Sequence, residues 1–299
     1  MRLAISSFAA LGLLLLSGTA FAQPAGYILP DDAQQLTPHV YIIRGFPNVA
    51  IIVGSAGTLV VDTGLGPRNG ATVARTAAKL AKAPKLYLTT THFHPEHAAG
   101  EGGFPSGTIL IRCKVQQDEL IQDRAQMLGR FQQRPAFASL LQNVTFRKPD
   151  IMFDRDYLLN LGDVNALLVY RGPAHTRGDE EVFVREDGVL VTGDVVQNKT
   201  GPAFTAKGIG PAEWLATVKA LEPLHPRIIV PDHSPPGDGP TLISQEENFL
   251  QALIARTDEL KSKSVPLERA GQMVTQEFKA RYPDWNIGDL SDAVARSYR

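Results

Sequence analysis

The 299-residue chain predicts a layered α/β fold. Three observations carry that expectation. Short β-branched runs recur in both halves of the sequence, segments with helical periodicity separate them, and residues 237–299 keep a helical pattern to the end.

Residues 23–37 are polar and contain proline, and read as a lead-in. Strands are predicted at Val40–Ile43, Ala50–Val53 and Thr58–Val61. The turn Gly54-Ser55-Ala56-Gly57 makes the last two a hairpin. Val73, Ala77 and Leu80 recur at helical spacing, so residues 70–82 form an amphipathic helix. Leu86–Thr89 follows Pro84 as a strand. Residues 114–142 are expected to be helical, with Leu120, Met127, Leu128 and Phe131 among polar neighbours. Further strands follow at Asp156–Leu159, Ala166–Tyr170, Glu181–Val184 and Val189–Thr192. Pro211 opens a helix carrying Trp214, Leu215, Val218 and Leu221 on one face. Ile228–Val230 is the last strand. In the tail, Phe249, Leu250, Leu253, Ile254 and Leu260 fall in helical register.

Composition narrows the function. A formal net charge of −1 argues against a strongly basic nucleic-acid binder. The single cysteine, Cys113, excludes both an internal disulfide framework and a cysteine-rich zinc module. Any bound metal must therefore be held by His and carboxylates, and seven His are available. Arg2, the apolar run Leu11–Leu16 and the ending Ala20-Phe21-Ala22 have the parts of a secretory signal peptide, with cleavage expected after Ala22. That run is short for a membrane span, which needs about 20 apolar residues. The expected address is the bacterial periplasm or exterior, with no membrane insertion after cleavage.

The chemistry concentrates in Thr91-His92-Phe93-His94-Pro95-Glu96-His97, directly after the predicted strand Leu86–Thr89. On an extended backbone, His92 and His94 would point to one side. Neutral imidazole and carboxylate are the ligands expected for zinc where thiolate is missing. His175 lies in the loop Gly172-Pro173-Ala174-His175-Thr176-Arg177-Gly178-Asp179. Asp194 follows Val189–Thr192, and His233 follows Ile228–Val230. Each sits just beyond a strand end, where a rigid sheet holds functional loops. His39 is given no role. His225, between Leu224 and Pro226, is expected to cap a helix or stand exposed.

In this order, these residues resemble the metallo-β-lactamase superfamily of hydrolases over residues 38–236. Val61-Asp62-Thr63-Gly64 is similar to that family's Asp-containing strand end. The resemblance implies an αββα sandwich, two mixed sheets face to face with helices outside, followed here by a helical extension over 237–299. It implies His92, His94 and His175 as ligands of one metal. It implies Glu96, His97 and His233 for a second, with Asp194 bridging and Asp62 orienting ligands through hydrogen bonds. Two positions depart from the pattern. Glu96 stands where the family usually has Asp, and its extra methylene shifts the carboxylate by ~1.5 Å, about one C–C bond. That leaves open whether Glu96 ligates or acts as a general base. Asp232 precedes His233 where many relatives carry Gly.

The resemblance further implies two zinc ions sharing an activated water, and a small-molecule substrate with an ester, thioester or amide-type bond. Glu96 and Asp194 are the implied catalytic residues. An Asp at 194 looks more like glyoxalase II and general hydrolases of the superfamily than like its lactamases. A periplasmic metallo-β-lactamase acting on β-lactam antibiotics is one alternative. A persulfide dioxygenase with one iron held by His92, His175 and Asp194 is another. No Gly-x-Ser-x-Gly arrangement suggests covalent serine chemistry. Between Glu101 and Asp156, the stripe Met127, Leu128, Phe131, Phe137, Leu140 and Leu141 has enough apolar bulk to wall the site, although ordinary helix core is expected for at least half of it. Phe93 and Phe204 are further candidates for the lining.

Overall fold

The structure, a computed structural model, describes residues 26–298, so the predicted signal segment lies outside the described residues. Two mixed sheets organise the chain. The first holds β1 (Gln34–Gln35), β2 (Val40–Ile43), β3 (Val49–Val53), β4 (Thr58–Val61), β5 (Leu86–Thr89), β6 (Ile109–Cys113) and β7 (Ile151–Phe153), in that spatial order. It is antiparallel up to β4 and parallel from β4 onward. The second holds β8 (Asp156–Asn160), β9 (Asn165–Val169), β10 (Glu181–Val184), β11 (Val189–Gly193), β12 (Ile228–Pro231) and β13 (Gly237–Asp238), each beside its sequence neighbour. Here only β11 and β12 run parallel.

Side-chain alternation builds the layers. Ala50 and Ile52 of β3 join Val40, Leu59 and Val61 in a cluster shared with Leu168, Val182, Val191 and Val230 of the second sheet. Val49, Ile51 and Val53, the alternate residues of the same strand, pack instead with Val73, Ala74 and Ala77 of α1 (Pro67–Leu80). On the far side, Phe183, Leu190 and Ile229 pack with Trp214, Val218 and Leu221 of α5 (Pro211–Leu221), and with the tail. A strand buried on both faces reads as a continuous apolar run, which is why these strands stood out in the sequence. The result is the αββα sandwich with a helical tail.

Between the sheets' strands lie α2 (Pro95–Ala98), α3 (Lys114–Gln132) and α4 (Pro135–Ala138), and the tail forms α6 (Gly239–Ser262), α7 (Leu267–Arg281) and α8 (Ser291–Ser297). Several expectations need correction. The helix expected over 114–142 breaks after Gln132, because Pro135 forces Arg134 into an extended conformation before a new short helix starts. Strands β6 and β7 were not foreseen. Leu128, Phe131, Phe137, Leu140 and Leu141 form a satellite core with Leu65, Ala99 and Phe46, the ordinary helix core expected for at least half of that stripe. Phe204 is buried against Trp214 in the main core. His39 has a role after all: its Nδ1 lies 2.8 Å from Asp187 Oδ1 and ties β2 to the β10–β11 turn. His225 is exposed at the end of a 3-10 turn, in a left-handed conformation at φ 49°.

Candidate metal centre

The C-terminal ends of β4 and β5 in one sheet meet those of β11 and β12 in the other. Thr91 marks the junction. Its Oγ1 lies within hydrogen-bond reach of both Asp62 oxygens, at 3.2 and 3.0 Å, and of Asp232 Oδ2 at 3.1 Å. Its backbone N–H donates to Asp62 Oδ1 at 2.8 Å. Asp62 holds φ at 72°, a conformation that non-glycine residues adopt only where the surroundings enforce it. Gly193 lets β11 come this close: at φ 55°, an added Cβ would stand 2.7 Å from Thr91 Cβ.

After β5 the chain bends through residues 91–94 rather than staying extended, so the expected strand-like alternation of His92 and His94 does not hold. The two rings nevertheless converge, through different nitrogens. His94 Nδ1 lies 3.1 Å from His92 Nε2 and 3.0 Å from His175 Nε2. Pro95 then starts α2, which presents Glu96 and His97. His175 is fixed by its own loop. Its Nδ1 lies 2.7 Å from the Ala203 carbonyl, which can only accept, so Nδ1 carries the proton and Nε2 the lone pair. Asp179 accepts from the backbone N–H groups of Ala174 and Thr176 and from the Thr176 hydroxyl. Glu119 of α3 accepts from the N–H groups of Arg177 and Gly178.

Three groups of potential ligands converge, each with its donor atoms within 4.8 Å of one another: His92, His94 and His175; Glu96, His97 and His233; and His92, His97 and Asp232. Asp194 stands outside these groups but touches a member of each of the first two. Its Oδ2 lies 3.2 Å from His175 Nε2 and its Oδ1 3.3 Å from His233 Nε2. Gln197 donates to Asp194 Oδ1 at 3.0 Å and steadies it. The side chains of Asp194 and His233 keep 13% and 19% exposure, so the centre opens to solvent on their side.

The third group has a different character. His97 Nδ1 lies 3.2 Å from Asp62 and 3.3 Å from Asp232, both on the same edge of the ring. Asp232 therefore orients His97, a part the sequence reading did not assign. The arrangement is the carboxylate–histidine pairing that fixes a metal-binding ring and leaves its other nitrogen bare.

The donors fit a cation. Three imidazole nitrogens on a tetrahedral zinc, bonded at 2.0–2.1 Å, stand roughly 3.3 Å apart, close to the spacing around His94. The buried atoms His97 Nε2 and Glu96 Oε2 have no hydrogen-bond partner. Burial, reinforced by the neighbouring imidazoles, holds His92 and His94 well below the usual histidine range. Burial likewise lowers His175, and brings His233 to about 4. Neutral rings are the ligating form. His97 is the exception: burial opposes its charge, but Asp62 and Asp232 outweigh it and raise its pKa well above the usual value. The same field favours a metal cation on Nε2. Burial pushes Glu96 up to about 7. It also pushes Asp194 up, but His233 and His175 outweigh it and hold that carboxyl low.

The metallo-beta-lactamase superfamily model matches residues 42–233, and the chain belongs to that superfamily. It carries a metal-binding hydrolase site of the superfamily's type. No curated protein matches the chain. Among solved structures, a metallo-beta-lactamase from Pontibacter korlensis is 18% identical with a TM-score of 0.60, covering 75% of this chain and 99% of its own. The stereoselective inverting sec-alkylsulfatase Pisa1 from Pseudomonas sp. is 18% identical with a TM-score of 0.72; the match covers 89% of this chain but only 49% of the sulfatase. The metallo-beta-lactamase FIM-1 from Pseudomonas aeruginosa, in a mono-zinc form, is 18% identical with a TM-score of 0.59, covering 77% of this chain and 98% of its own. At these identities the likeness is one of fold.

Proposed function

We propose that the chain is a dinuclear metal-dependent hydrolase that cleaves an ester, thioester or amide-type bond in a small molecule. His92, His94 and His175 hold one metal, Glu96, His97 and His233 the other, and Asp194 bridges them. The observation that carries this reading is the position of Asp194, with one oxygen facing each set. Zinc suits the all-imidazole and carboxylate donors, and when bound it lowers the pKa of water and polarises a substrate carbonyl. The chain's own residues supply the rest. Asp62 and Asp232 orient His97, Ala203 orients His175, and Gln197 holds Asp194. Glu96, buried beside this centre, is placed either to complete the second set or to accept a proton. The second set argues against the one-iron reading, which has no use for it. The N-terminal pattern of Arg2, Leu11–Leu16 and Ala20-Phe21-Ala22 supports export as the address.

The test measures metal content of the purified protein together with turnover of a thioester, a lactone, a phosphodiester and a β-lactam. Zinc in the protein with thioester or lactone hydrolysis is the expected result. One iron per chain with oxygen uptake would overturn it, and fast β-lactam turnover with neither of the other acyl substrates cleaved would move the substrate to the lactamase class.

A further inference from the structure

A cleft of about 350 Å³ opens beside the first ligand set, with Phe93 and His94 on one side and residues 205–207 on another. Its third wall is one face of α3. Glu119, Gln122, Asp123, Gln126, Met127 and Arg130 recur there at spacings of three and four, and only Met127 is apolar. Of the expected apolar stripe, only Met127 lines this cleft.

The carboxylates of that wall are already engaged. Glu119 and Asp123 both pair with the Arg177 guanidinium, at 3.3 and 3.1 Å, and Gln122 accepts from it as well. Arg130 and Lys207 are exposed at the cleft, and neither forms an ion pair among the described residues. Three cations thus face two carboxylates. A guanidinium and an ammonium without partners, flanking a pocket of ligand size, favour an anion there.

We propose that Arg130 and Lys207 form an anion subsite. The substrate of the proposed hydrolase is then a small molecule whose arm, away from the scissile bond, ends in a carboxylate, sulfonate or phosphate. This rests on the hydrolase reading for the word substrate, but the subsite itself can be tested without turnover.

The probes are 4-phenylbutanoate and its neutral amide, titrated into metal-free protein at pH 7 and followed by calorimetry. The carboxylate should bind tighter by about threefold or more at low salt, the scale of exposed charge pairs. The gap should close in the R130Q/K207Q double variant, and in wild type at high salt, where screening removes exposed charge attraction. Equal binding of the two probes in wild type, or a gap that survives the double substitution, would overturn the proposal. Both side chains are exposed, so the variant should fold, and the salt series on wild type gives an independent answer. With metal restored, the double variant should raise KM for a carboxylate-bearing thioester, hold kcat, and leave a neutral thioester unchanged. Failure to cleave either thioester would count against the hydrolase reading and leave the binding result standing.

Discussion

Asp194 lies 3.2 Å from His175 through one carboxylate oxygen, while its second oxygen lies 3.3 Å from His233. A single side chain therefore joins a loop between β9 and β10 to the end of β12. Asp194→Asn keeps the shape and removes the charge. It should shrink the zinc-induced rise in melting temperature. It should also lower kcat by roughly 100-fold or more, the scale of losing one electrostatic contact at a reacting centre. Zinc titration by calorimetry and steady-state kinetics check both, and an unchanged zinc response would count against the bridging role.

Asp232 and Asp62 flank the same edge of His97. Asp232→Asn and Asp62→Asn should each weaken metal binding by about 10- to 100-fold without changing the number of metals at saturation. Competition with a chelator measures this. Loss of a whole equivalent in Asp232→Asn would make Asp232 a ligand instead.

Asp179 holds the His175 loop through three donors. Asp179→Ala leaves the buried N–H and hydroxyl of Thr176 without their acceptor, while the Ala174 N–H keeps the Thr176 carbonyl, and should destabilise the fold by about 2–3 kcal/mol. Affinity at the first ligand set should fall with it. Denaturant unfolding of the metal-free variant separates the two effects, and wild-type stability there would show that the loop is held elsewhere.

Glu246 sits in α6 with both carboxylate oxygens buried and without a partner that meets hydrogen-bond geometry. Burial raises its pKa from the ordinary 4.5 to about 8. The folded state thus keeps a proton that the unfolded state has lost, so this group's contribution is full below pH 4.5 and fades as pH rises toward 8. Glu246→Gln cannot titrate. Its melting temperature should gain on wild type between pH 5 and pH 8.5, and a constant difference would contradict the assignment.

Much of this was legible in the sequence because burial on both faces writes strands as apolar runs, as in Val49–Val53. The candidate ligand positions were legible because they follow strand ends in a recognisable order. Other features had no local signal. Strand β7 has three residues, and Gln34–Gln35 pairs through its backbone alone with polar, exposed side chains. Leu128 and Phe131 show the same helical spacing whether they face a substrate or a satellite core, and only tertiary packing decides between them. Asp232 was noticed as a departure, yet its partner is His97, 135 residues away in a different sheet's loop, and no spacing rule links them.

The proposed function turns on two linked metal sites. The most direct measurement is the zinc bound per chain at saturation in stripped protein, for wild type and for His233→Ala. Wild type should bind about two equivalents and the variant about one, since His233 belongs to only one candidate ligand set. One equivalent in both proteins would contradict it.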